Sequence, residues 1–171
     1  MKTSKKYSLG ALAALTILTA SQLFAESSAA KSSALERSIQ VDQVDTGDVD
    51  IEPAFRVAIY ENLLVELTKT KRFKQVFRSG DRNAADIPGI LILKTKVQHY
   101  TPGSETRRAV TTVMGATKLN VQTQLCTRQG EVVLERVVNG NVRFFGGNLR
   151  ATHNLAKNVA GRIKQSALPG S

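Results

Sequence analysis

KLNVQTQL, residues 118–125, sets Leu119, Val121, Thr123 and Leu125 against Lys118, Asn120, Gln122 and Gln124. Alternation with a period of two sends successive side chains to opposite faces of a strand, so one face here is mainly apolar and the other polar throughout. A polar face this regular belongs on the solvated side of an antiparallel sheet. Arg128-Gln129-Gly130 follows as a turn, and Glu131 to Phe145 returns as a long strand bent at Asn139-Gly140. Together they read as a β-hairpin.

Upstream, Ile90 to Tyr100 (ILILKTKVQHY) is a further strand, with Leu91, Leu93, Thr95, Val97 and His99 on one face and Lys94, Lys96 and Gln98 on the other. Its apolar start predicts burial on both faces that becomes one-sided towards the end. Phe73 to Phe77 reads as a short strand, Ser79 to Asp86 as a polar loop, and Ser38 to Val44 as a short first strand.

Two stretches change period. From Pro53, Phe55, Ile59, Leu63 and Leu67 recur every four residues, widened by Ala58 and Leu64, with Arg56, Glu61, Glu66 and Lys69 opposite. This predicts an amphipathic helix over 53–71, with Pro53 as its first residue. Leu149, Thr152, Leu155, Ala156, Val159, Ala160 and Ile163 predict a second helix ending near Gln165. Asn148 stands where a helix cap is expected. The order is strand, helix, strand, strand, hairpin, helix. That is an α+β fold, a mostly antiparallel sheet of about five strands with both helices on one face.

The N-terminus addresses the chain elsewhere. Lys2, Lys5 and Lys6 precede an uncharged apolar run from Leu9 to Leu18, and Ala25 closes a short tract before Glu26. This is the layout of a secretory signal peptide, with a core shorter than the roughly 20 residues of a membrane-spanning helix. Cleavage is expected after Ala25, with Ala30 as the alternative site and an uncleaved anchoring N-terminus as the competing reading. Residues 26–36 then form a flexible spacer, 37–167 one α+β domain and 168–171 a frayed tail.

The full chain of 171 residues is charged +10, and removing the three signal lysines leaves +7. An exported chain so charged suits anionic surfaces such as acidic lipid or cell-wall polymer, although net charge also serves plain solubility. Its basic residues are spread along the chain and its signal leads out of the cytoplasm, which argues against nucleic acid. Cys126 is the single cysteine, so there is no structural disulfide. A free, modestly exposed thiol and a disulfide between chains both remain open. With no cysteine near the end of the apolar run, no lipid anchor is expected.

Chemistry is sparse. His99 and His153 are the only histidines, the first on the core side of its strand and the second on a helix surface. One thiol and two distant imidazoles make no closed metal set. Gly146-Gly147 lacks the spacing and the Lys-Ser/Thr of a phosphate loop, and GDVDIE (residues 47–52) lacks that of a calcium loop. No catalytic, metal or cofactor site is expected. The one surface feature is a set of cations: Lys94, Lys96 and Lys118 share an outward register, near Arg107 and Arg108. They form either a solvated face or an anion-binding one.

The landmarks also have a familiar order. A helix at 58–67 precedes Phe73 and Val76, and Ala85-Asp86 precedes Leu91 and Leu93. Arg108-Ala109-Val110 leads to Gly115-Ala116, then to Leu119, Val121 and the turn Gly130-Glu131-Val132. Gly146-Gly147 opens the helix bearing Leu155-Ala156, Val159 and Ile163. Over residues 36–165 this resembles the bacterial exported proteins grouped as domain of unknown function 4410, and it is similar to the small α/β modules of envelope lipoproteins. The resemblance implies an envelope location and a non-enzymatic role, and supplies no catalytic residues. Such relatives are often lipid-anchored, from which this chain departs. The expected function is an exported, periplasmic or secreted accessory or binding module that contacts an envelope protein. The alternatives are an anionic-surface binder and an enzyme of unrecognised type.

Overall fold

The computed structural model describes residues 37–104, 116–142 and 147–168. The signal peptide, Ala25, the whole spacer (26–36), and Arg107 and Arg108 lie outside them. The elements are β1 (Ile39–Val41), α1 (Pro53–Lys69), β2 (Val76–Arg78), a 3-10 turn (Arg82–Ala84), β3 (Leu91–Thr101), β4 (Lys118–Thr127), β5 (Val132–Asn139) and α2 (Leu149–Gln165).

Five strands form one mixed α+β sheet in the order β2-β1-β3-β4-β5. β3 pairs antiparallel with β4, and β4 with β5, through the predicted hairpin. β1 lies parallel to both β2 and β3. α1 carries the chain across from β1 to β2, and a helical crossover brings the second strand back in the same direction. Alternation cannot reveal this, because a three-residue strand has too few side chains to mark its neighbours.

The helices cover one sheet face. Phe55, Ile59, Leu63 and Leu67 are buried, as are Leu155, Val159 and Ile163. They meet the row Ile39, Val41, Leu91, Leu93, Val97, Leu119, Val121 and Leu125 in one aliphatic core. Pro53 opens α1 as predicted, and Lys71 beyond its end takes a left-handed φ of +52°, turning the chain towards β2. Arg72 then donates to the Lys164 and Ser166 carbonyl oxygens, the latter at 2.6 Å, and so closes the end of α2.

Several expectations change. Glu66 is buried between the helices, where Lys69 Nζ lies 2.7 Å and His153 Nδ1 3.8 Å from its carboxylate. Leu149 is 59% exposed, because α2 meets the sheet only from Ala151 onward. Asn148 caps nothing with its side chain. Its Oδ1 instead accepts from Gly103 N–H at 3.1 Å and the Thr117 hydroxyl at 2.7 Å, tying the ends of the β3–β4 connection to the start of α2.

Candidate functional site

The sheet face away from the helices presents Lys94 and Lys96 from β3, Lys118, Asn120, Gln122 and Gln124 from β4, and Glu135 and Val137 from β5. Cross-strand register places Lys94 opposite Gln124, Lys96 opposite Gln122, and Lys118 opposite Thr101. All three lysines are exposed. They share the face as predicted, but they do not form one cluster. Lys118 and Gln122 stand four positions apart on β4, a spacing of about 13 Å at strand rise.

Acids join the lysine pair. Beyond β1 the chain keeps bonding to β3, with Asp42 N–H to Leu93 O and Asp45 N–H to Thr95 O, both at 2.9 Å. This carries Asp42 and Asp45 into a shallow groove of about 380 Å³ with Lys94, Lys96, Gln122 and Gln124. Lys96 Nζ stands 4.0 Å from Asp45 Oδ2. The groove therefore holds both signs of charge. Sequence spacing gave no sign of it, since about fifty residues separate the two pairs. Beside it Gln98 Nε2 donates to Gln122 Oε1 at 3.2 Å, and Gln122 Nε2 donates to Glu135 Oε1. The result is a hydrogen-bonded polar ladder across three strands.

His99 does not lie on the core side. A register shift between Val97 and His99 turns the strand by one residue, so His99 faces solvent, and Tyr100 packs inward on Phe55 with ring centroids 4.6 Å apart. The His99 ring nitrogen Nε2 is 2.9 Å from the Thr101 hydroxyl. His153 sits on the exposed side of α2 as expected, with Glu66 as its acidic neighbour. Cys126 faces away from the helices but is 2% exposed, a free thiol rather than a surface one. It is paired in register with Ile92, near the patch where Phe77, Ala84 and Ile90 form a second small apolar cluster. These three residues occupy separate regions and share no hydrogen bond. Among the described residues, no group of three His, Cys, Asp or Glu could hold a metal, and no helix is long and apolar enough to cross a membrane.

A second cavity, about 460 Å³, opens at the end of the sheet where β3 begins and β4 ends. Arg37 and Arg128 line it with Asp86 and the apolar residues Ile87, Ile90 and Leu91. In the sequence Arg37 is only the first residue of the domain and Arg128 only a turn residue, about ninety positions away.

No protein-family model matches the chain. No curated protein matches it either. Solved structures do resemble it. PelC from Paraburkholderia phytofirmans, solved as a dodecamer, superposes with a TM-score of 0.60 at 12% identity, over 78% of this chain and 91% of PelC. A hypothetical protein from Chlamydia trachomatis gives a TM-score of 0.55 at 6% identity, covering 77% of this chain and 98% of its own. A Xanthomonas campestris protein of domain of unknown function 330 gives 0.52 at 9% identity, over 77% and 83%. At these identities the shared property is the fold.

Proposed function

We propose that this chain is an exported cell-envelope module that acts by contacting another envelope protein and catalyses no reaction. The observation that carries the reading is the sheet face that, among the described residues, no element covers. Both helices pack on one side, which leaves the long strands β3, β4 and β5 presenting a broad, mixed polar surface centred on Gln122. Such a surface, with one apolar point at Val137 (59% exposed) among interspersed charges, matches the polar rim of a protein contact. PelC, which shares the fold, is a dodecamer. The landmark order also resembles that of the exported proteins grouped as domain of unknown function 4410, a likeness that no family model supports.

A photocrosslinking residue in place of Gln122, in cells making the full chain, is the test. The reading requires a discrete adduct at Gln122 that is missing from a control at Arg150 on α2. Equal labelling at both sites, or none at either, overturns it. The same preparation gives the mature mass. A chain beginning at Glu26 without lipid supports export and cleavage after Ala25, whereas retention of residues 1–25 makes it an anchored protein.

A second reading rests on Lys94, Lys96 and Lys118 sharing that face, with Arg107 and Arg108 on the adjoining segment. In it the face meets acidic lipid or wall polymer. Sedimentation with anionic vesicles at low salt, lost on changing the three lysines to Gln, supports it. Binding that survives the triple change refutes it. Salt should weaken such binding, because the screening length is about 10 Å at 0.1 M.

A further inference from the structure

We propose that the cavity at the end of the sheet binds a small molecule bearing a carboxylate on a short apolar body. Its volume of about 460 Å³ falls in the range of small-molecule sites. The wall is preformed, since Arg128 Nη2 donates to the Ala84 carbonyl oxygen at 2.6 Å and Nη1 donates to that of Ala85. These bonds pin the strand-to-strand segment over the sheet end.

Among the described residues, Arg128 thus brings a positive charge that no carboxylate neutralises. Arg37 is half-buried, and among the described residues its guanidinium has no hydrogen bond or ion pair. A guanidinium without a protein acceptor is free to take a ligand, and its planar fork matches a carboxylate. Asp86 lines the same cavity without pairing to either arginine, so two cations face one anion. Ile87 and Pro88 in the wall offer an apolar edge for the ligand's body, while Ile90 and Leu91, each 1% exposed, lie packed beneath it. This site uses none of the residues of the open sheet face and does not depend on that reading.

Hexanoate, hexanol and hexylammonium, titrated into the mature protein and followed by the methyl signals of Ile87 and Ile90, test the site. Hexanoate should shift both signals saturably and bind at least about tenfold tighter than hexanol, a difference of about 1.4 kcal/mol. Hexylammonium should produce no saturable shift. Arg37→Gln should remove the preference for the acid while leaving hexanol binding and the urea midpoint unchanged. Arg37→Lys, which keeps charge but loses the fork, should retain only part of it. Equal affinity for acid and alcohol, an unchanged preference in Arg37→Gln, or no saturable shift up to about 10 mM, the weak end for so small a ligand, overturns the proposal.

Discussion

Gly140, just past the end of β5, lies directly against Leu155 of α2: a Cβ built on Gly140 would stand 2.6 Å from Leu155 Cβ and 2.9 Å from its backbone nitrogen. It would also collide with the carbonyl oxygen of Ala151. Only a residue without a side chain lets the helix backbone settle this close to the sheet. Gly140→Ala should destabilise the domain by about 3 kcal/mol, the upper end for overpacking against backbone. Gly161, also near α2's packed face, has open space around its Cβ position. Gly161→Ala should therefore stabilise by about 0.5–1 kcal/mol through helix propensity. Urea unfolding of both variants checks the opposite signs.

Leu63 is fully buried on α1, whereas Gln122 stands on the open face of β4. Leu63→Ala should cost about 2–5 kcal/mol by the same measurement. Gln122→Ala should cost under about 0.5 kcal/mol, because its bonds to Gln98 and Glu135 are made in water. Similar costs at the two positions would mean the faces are wrongly assigned.

Thr95 and Thr123 are directly opposite one another in the core-facing row of β3 and β4. Thr123 donates its hydroxyl to the Arg136 carbonyl oxygen at 2.9 Å, but the buried Thr95 hydroxyl has no partner. Replacing each with Val should split their fates. Thr95→Val should stabilise by about 1 kcal/mol by removing an unpaired buried hydroxyl, and Thr123→Val should destabilise by about as much. Thermal unfolding of the two variants side by side reads this directly.

Arg78 grips Glu61 through two bonds of 2.6 and 2.7 Å, which join β2 to α1. That hydrogen bonding holds the Glu61 carboxyl below the usual glutamate value. A carboxylate depressed in the folded state adds stability above its unfolded pKa, and the contribution disappears as pH falls through the folded one. The effect is small, since both side chains face solvent. In an NMR titration, Arg78→Gln should move Glu61 upward towards its ordinary value, and stability should lose part of its acid dependence.

Local periodicity was enough to show both helices, the hairpin and the sheet's two faces. Phe55 to Leu67 and Lys118 to Leu125 carry that pattern within about a dozen consecutive residues, so no distant contact is needed to read it. The expectation of export, too, rests on a short segment, Lys2 to Ala25, which lies outside the described residues. The neighbours of each strand were another matter. That β1 lies between β2 and β3, and that Asp42 and Asp45 therefore meet Lys94 and Lys96, depends on a crossover through α1. A single register shift after Val97 moved His99 from the core side to the solvent side, and helix-on-helix packing drew Glu66 inward against Lys69 and His153. The Arg37–Arg128 cavity joins residues about ninety apart. Each of these is set by which surfaces meet when the apolar stripes are buried together. That free energy belongs to the packed whole and leaves no periodic mark along the chain.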